Sequence, residues 1–292
     1  MSLSDPGKLS PLAEQRLACP RCHGSLRADA GTLACARGCG FKGTIGDGVV
    51  SVMPDSWSFF DTRYEVMEEL SQTDSVRRFC YDRQTRAFQD FLAPGSTVLD
   101  VGCGPRLTYA RPPGVLIIGL DASLPSVRAN GQLDLGVHGT ALALPLPSAS
   151  IDTVVALYAI HHLVGDTVAE TEHNVRQAFA EFARVLKSGG DVFIFEISPW
   201  RGVSRIERKV WNVARRLLGG RLDMYFWSAE ALADVGRVAF PSAKLSQIDY
   251  PAAPLLMFPP VFALPWLQIP RFLYPFDARL YHWHLNGDAR RV

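Results

Sequence analysis

Three features of this 292-residue sequence predict an α/β fold on a doubly wound, mostly parallel sheet, with a small separate unit at the N-terminus. The first is a pair of apolar runs: Val98, Leu99 and Val101 within TVLDVGCGPR, and VLIIGL over residues 115–120. Strands covered on both faces read as near-continuous apolar runs, because neither face meets water. The second is what the runs lead into. One carries Asp100 and releases into Gly102, Cys103, Gly104 and Pro105, and the other ends in Asp121. A glycine turn after a buried strand lets the backbone approach a ligand with no Cβ in the way. The third is the placement of four of the six cysteines in two close pairs between residues 19 and 39, which suits a metal site better than a disulfide scaffold.

Composition narrows the function classes. Thirty basic residues against 29 acidic ones give a formal net charge of +1, so no global field draws the chain to nucleic acid, and a small or neutral partner is favoured. A hydrophobic content of 48% is ample for a core. No basic leader with an apolar h-region opens the chain, and no run approaches the ~18 apolar residues of a membrane span, so a cytoplasmic protein is expected. The organisation reads as a loose arm (1–16), a two-knuckle ribbon (17–55), a helical linker or lid (56–95), the main domain (96–250) and a C-terminal segment rich in proline and aromatics (251–292).

The ribbon is carried by CPRC at Cys19 and Cys22 and CARGC at Cys35 and Cys39, with Gly24, Gly38 and Gly40 in or just after the knuckles. Each knuckle turns the chain to aim two thiolates at one ion, and four thiolates close a tetrahedral zinc shell with no open position, so the expected role is structural. Chance spacing of reduced thiols is the alternative. Asp47 and Gly48 mark a hairpin turn. This stretch resembles the small zinc ribbons of methyltransferase-activating partner proteins and the ribbon at the front of some bacterial ribosomal RNA guanine methyltransferases.

In the linker, FFDTRY and its Tyr64 are similar to the segment that closes an aromatic residue over the methyl donor in many small-molecule methyltransferases, although simple helix packing explains the same stripe. The D-x-G-x-G at Asp100, Gly102 and Gly104 resembles the first motif of class I S-adenosylmethionine (SAM) methyltransferases, a Rossmann-like family. That resemblance is supported by the LPLP and IDTVV segment over 144–155 and by RVLKSGG over 184–190. It implies SAM as cofactor, with the glycine turn at the methionine end, Asp121 at the ribose, Thr140, the Ala141 backbone and the apolar Leu142 and Ile151 at the adenine, and Asp100, Ala122 and Leu157 also among the cofactor-binding residues. Thr140 stands where the family has an acidic residue. Arg106 replaces a frequent third glycine, to meet the donor's carboxylate or lie in solvent, and Pro112 and Pro113 leave room for a first crossover helix of barely two turns.

Candidate catalytic groups follow strands four and five, where ligands of doubly wound sheets bind. His161 and His162 are a proton acceptor or packing groups, and Glu196 is a base, an anchor or a structural hydrogen-bond partner. A helix from about residue 171 to 186 separates those strands, and Asp152 reads as a solvent-side turn. RGVSRIERKVWNVARRLLGGRLDM over 201–224 reads as a helix with a basic surface, open to three uses: a solvated face, a peripheral membrane contact or a nucleic-acid contact. Ser228 is a plausible N-cap for the helix after it. The apolar C-terminal segment favours a small, hydrophobic methyl acceptor such as a phenol, quinone, polyketide or lipid. An RNA base is the alternative acceptor, and a non-catalytic SAM-binding protein is a third reading. The sequence defines no oligomeric state.

Overall fold

The computed structural model describes residues 9–53, 86, 91–219, 222–250 and 276–286. Most of the linker with Tyr64, and residues 251–275 of the C-terminal segment, lie outside them.

The part of the expected loose arm that is described is a helix, α1 (Pro11–Arg16). The Ser10 hydroxyl caps it by accepting from the Ala13 N–H at 3.2 Å, and Pro11 opens it. Leu9, Ala13 and Leu17 are buried in the main core, so this segment is held by apolar burial that its mixed composition hid. Two hairpins follow: β1 (Leu26–Asp29) with β2 (Thr32–Cys35), and β3 (Lys42–Gly46) with β4 (Val49–Ser51). Asp47 and Gly48 both take positive φ at the second turn, as the sequence suggested.

The ribbon extends the main sheet. Strand β4 pairs in parallel with β7 (Leu135–His138), and the eleven strands run β1-β2-β3-β4-β7-β6-β5-β8-β9-β11-β10. The central strands β5 (Thr97–Val101), β6 (Leu116–Asp121), β8 (Ile151–Leu157) and β9 (Leu186–Pro199) are parallel, whereas β10 (Lys244–Tyr250) and β11 (Phe276–His284) close the edge antiparallel. Connections reverse direction between β5 and β8, so the ligand crevice lies at the carboxyl ends of those two strands.

One crossover differs from expectation. Residues 102–115 between β5 and β6 contain turns and bends only, not even a short helix. Pro105, Pro112 and Pro113 remove amide donors, and a proline disfavours helical geometry in the residue before it. Ser123, unread in the sequence, opens α2 (Leu124–Ala129), and Ser228 opens α5 (Ala229–Ala239) as the sequence suggested. Helix α3 (Val168–Val185) begins three residues earlier than its apolar pattern indicated, because Thr167 and Glu170 form a reciprocal capping box. It buries Val175, Phe179 and Phe182 against Phe240 and Trp283 on one face of the sheet. The other face buries Ile117, Phe193 and Phe195 beneath Leu92, Leu107 and Tyr109. Helix α4 (Arg201–Leu218) turns Trp211 inward. Asp152 is a fastener at the amino ends of the strands, not a free turn residue. It accepts from the Thr97 N–H and from Lys187 Nζ, each at 2.8 Å.

Candidate active site and cysteine cluster

At the carboxyl end of β5 the chain turns through Gly102 and Gly104, with φ of 73° and 57°. A Cβ on Gly102 would stand 2.6 Å from that of Ala159 beyond β8, whereas none of the described residues lies within 4 Å of where a Gly104 Cβ would be. The first glycine therefore permits close packing across the crevice, and the second is uncrowded among the described residues at the switch point. Asp121 fastens this turn. Its Oδ2 accepts from the Gly104 N–H at 2.9 Å and its Oδ1 from the Ser123 N–H at 2.8 Å. Asn130 grips the turn from behind, Nδ2 donating to the carbonyls of Cys103 and Gly104 at 3.3 and 3.0 Å.

Asp100 is 3% exposed, and the Tyr109 hydroxyl donates to its Oδ2 at 3.1 Å. Burial pushes its carboxyl up to about 7, with Asp121 adding to the push and the Tyr109 hydroxyl opposing it. A carboxylate held at that cost beside a ligand crevice favours a cationic ligand group. Ala122 is exposed, and its carbonyl stands 3.2 Å from Nε2 of His138. A carbonyl only accepts, which puts a proton on that nitrogen. Nδ1 of His138 is 2.7 Å from the Ser51 hydroxyl on β4, so one buried imidazole joins the ribbon to the loop after Asp121.

Thr140 is half-buried, and its hydroxyl accepts from the Leu142 N–H at 3.2 Å, while Ala141 and Leu157 are buried. The loop carrying Thr140 and Ala141 is secured to α3. Glu181 accepts from the Leu144 N–H at 2.7 Å, and Arg184 donates to the carbonyls of Leu144 and Leu146 at 3.0 and 2.7 Å. The Ala18 N–H, donating to the Pro145 carbonyl at 2.9 Å, ties the chain beside Cys19 to the same loop.

Across the crevice, β8 leads into Tyr158, a non-glycine residue at φ 54°, and then a 3-10 turn over Ile160–His162. Such backbone is strained, and strain of this kind gathers at functional sites. His161 Nδ1 is 2.7 Å from Glu196 Oε2, and the Ile160 N–H donates to Glu196 Oε1 at 2.7 Å. The carboxylate keeps the proton on Nδ1 and leaves Nε2 as the basic nitrogen. His162 Nδ1 lies 3.0 Å from the Asp223 carbonyl, and burial, reinforced by neighbouring His161, holds its pKa well below the usual histidine value. The two rings are 4.1 Å apart, and Phe226 stacks on His161 at 5.5 Å.

The expected residues thus form three groups. Asp100, Gly102, Gly104, Asp121 and Ala122 share the carboxyl edge of β5 and β6, while Leu157, His161, His162 and Glu196 share that of β8 and β9. Thr140 and Ala141 follow β7. Asn130, Tyr109 and His138 complete the surroundings and went unread in the sequence, where each is an isolated polar residue without a motif. The buried Asp100 carboxyl beside the glycine turn fits a ligand with a cationic end.

In the ribbon, the Cys19 and Cys39 Sγ atoms are 3.5 Å apart, those of Cys22 and Cys35 are 3.3 Å apart, and all four lie within 4.8 Å of one another. A four-thiol cluster of this size is compatible with a zinc-binding module.

The strand order, the glycine turn after β5 and the acidic end of β6 define a class I SAM-dependent methyltransferase. A methyltransferase domain family matches residues 99–194. A methyltransferase-like protein of Encephalitozoon cuniculi is 32% identical over 55% of this chain and 73% of its own length. The chain is also 31% identical to a tRNA (carboxymethyluridine(34)-5-O)-methyltransferase of Arabidopsis thaliana, over 45% of this chain, and 29% identical to a demethylmenaquinone methyltransferase of Corynebacterium glutamicum, over 49%. It spans 31% and 60% of those two relatives' lengths. Among solved structures, a Haemonchus contortus phosphoethanolamine N-methyltransferase bound to S-adenosylhomocysteine shares the fold, with a TM-score of 0.53 at 14% identity over 80% of this chain and 61% of that one. The chain belongs to the methyltransferase-domain family.

Proposed function

We propose that this methyltransferase acts on a small, hydrophobic acceptor of the phenol, quinone, polyketide or lipid kind. The observation that carries the reading is the aromatic wall around His161. Phe226 stacks on the imidazole, Phe276 meets Phe226 at 5.4 Å, and Tyr158, just beyond β8, packs edge-on against Phe195 at 5.1 Å. Such a wall suits a flat apolar molecule, and a demethylmenaquinone enzyme among the relatives agrees with it.

SAM supplies an electrophilic sulfonium methyl, so the residues' work is to bind, align and move a proton. In this reading Asp100 and the turn at Gly102 and Gly104 hold the methionine end, Asp121 and Ala122 the ribose, and Thr140, Ala141 and Leu157 the adenine side. His161 receives the acceptor's proton at Nε2, Glu196 fixes its ring, and neutral His162 packs beside it. Zinc, held by Cys19, Cys22, Cys35 and Cys39, folds the ribbon that keeps β4 on the sheet.

Helix α4 favours an acceptor taken from a membrane surface. Its outward line of Ile206, Val210, Val213 and Leu217 is aliphatic and exposed, with exposed Arg205, Lys209 and Arg216 along one side. No helix among the described residues is long and apolar enough to cross a membrane. The tRNA enzymes among the relatives support an RNA acceptor instead, but an aliphatic line offers little to phosphates or stacked bases. Turnover of labelled SAM with reduced demethylquinones, compared with bulk tRNA, decides between them. Transfer to the quinol is expected, and transfer to tRNA alone would overturn the proposal.

A further inference from the structure

Strand β11 ends in LYHWH, and strand period puts His282 and His284 on one face and Trp283 on the other. The packing agrees, since Trp283 is 1% exposed within the core. In the antiparallel register His284 stands opposite Asp191 of β9, and His282 opposite Phe193. All four side chains therefore share one face of two neighbouring strands. His282 Nε2 lies 2.6 Å, and His284 Nδ1 2.9 Å, from the same oxygen, Asp191 Oδ1.

The environment of His282 fixes its aim. The ring stacks on Phe193 at 4.2 Å and 9°, Phe91 meets its edge at 4.7 Å, and Nδ1 faces the Ser246 hydroxyl at 3.5 Å. Outer contacts that set the orientation of a ligating imidazole are a regular part of metal sites. Exposure is graded across the cluster: Asp191 and His282 side chains are 15% and 14% exposed, and His284 is 49% exposed. The floor is closed and one side is open.

We propose that Asp191, His282 and His284 form a second metal site, separate from the cysteine cluster and from methyl transfer, for a borderline divalent cation of the zinc type. The three ligand atoms all lie within 4.8 Å of one another. Two imidazole nitrogens and one carboxylate oxygen suit zinc, nickel or copper, whereas magnesium and calcium prefer all-oxygen sets. Three protein ligands leave one position for water on the exposed side of His284. The site lies toward the amino end of β9, whereas Glu196 and Phe276 lie at its other end, where β11 begins. A cation there clamps together the two strands that carry those pocket residues, so its effect is on the edge of the sheet and not on the reacting atoms.

The test uses the full chain with its cysteine cluster loaded with zinc, titrated with cobalt(II) and followed by calorimetry and visible absorption. The expected result is one further equivalent of cobalt, with d–d bands and without the thiolate charge-transfer band that cobalt in the cysteine cluster would show. His284→Gln on the exposed side, and Asp191→Asn, should each weaken that binding about tenfold or more, with zinc content and SAM affinity unchanged. Absence of the further equivalent, binding that survives both substitutions, or cobalt uptake accounted for by the charge-transfer band alone would overturn the proposal.

Discussion

Nδ1 of His161 stands 2.7 Å from Oε2 of Glu196, with the two side chains 6% and 2% exposed. The other Glu196 oxygen takes the Ile160 N–H, so one carboxylate holds the 3-10 turn through both its backbone and its catalytic candidate. Removing the charge while keeping the shape separates these tasks. Glu196→Gln retains an acceptor for Ile160 but loses the carboxylate that fixes the His161 tautomer. We expect kcat to fall about tenfold or more with SAM affinity within about twofold, measured by turnover and calorimetry. Lower thermal stability with normal turnover would make Glu196 a structural residue only.

Asp100 links pH to stability and to donor binding. Its folded pKa is raised to about 7 from 3.8, so the folded state binds the proton more tightly than the unfolded chain. The destabilisation from this group is near zero below pH 4, grows as pH rises, and is complete above pH 7. At about 1.4 kcal/mol per pKa unit, the full cost is several kcal/mol. Asp100→Asn, which keeps an acceptor for Tyr109, should raise the Tm of the ligand-free protein more at pH 8 than at pH 5. The same variant should bind SAM at least about tenfold more weakly, through loss of charge at the donor's cationic end. Unchanged SAM affinity would remove Asp100 from the donor site.

The ribbon's thiols should matter beyond the ribbon. Strand β4 covers the edge of β7, and Ser51 holds His138, whose Nε2 meets the Ala122 carbonyl. Cys22→Ser, or removal of zinc with a strong chelator, is expected to unfold the hairpins and lower Tm, because a segment this small cannot hold itself together by apolar burial. SAM affinity should fall with it. Zinc analysis should give one ion per chain before chelation at the cysteine cluster, and a ribbon that survives chelation with unchanged Tm would refute the structural role.

Local requirements were legible in the sequence, and partnerships between distant segments were not. Gly102 and Gly104 could be read because a tight turn beside a ligand demands them, and Asp121 because an acidic residue ends the next buried run. The serine cap at Ser228 is likewise set by its neighbours. The missing β5–β6 helix was half legible: the prolines signalled a short one, and their combined effect removed it. The parallel pairing of β4 with β7 could not be foreseen, since a three-residue strand carries no mark of the partner it will meet. Asn130, Tyr109 and His138 act through folding that brings them to the turn from 9 to 26 residues away or joins strands far apart in sequence. Glu196 was visible as a candidate, but its double grip on Ile160 and His161 depends on the β8–β9 register.

Helix α4 offers the sharpest test of where the enzyme works. Trp211 faces the core, Arg208 pairs with Glu172, and the Asn212 side chain accepts from the Val168 N–H, so the inner side of the helix is committed. The outer line is not: Ile206 is 64% exposed, Val213 61% and Leu217 78%. These side chains are spaced along one stripe of the helix, with Arg205, Lys209 and Arg216 to one side, the pattern of a helix lying in an anionic interface. The chain after α4 returns over the histidines, the Tyr225 N–H donating to the His161 carbonyl at 2.8 Å. Docking this helix would bring the acceptor side of the site to the lipid. Vesicles of phosphatidylglycerol and phosphatidylcholine in equal parts should sediment the full chain at low salt, and pure phosphatidylcholine vesicles should do so much less. Raising salt to about 0.5 M should weaken the anionic component, since exposed charges are then largely screened. Ile206→Asp with Val213→Asp should abolish sedimentation while changing stability by less than about 1 kcal/mol, as expected for outward-facing positions. Wild-type protein that ignores anionic vesicles, or that binds RNA through the same stripe, would refute membrane docking.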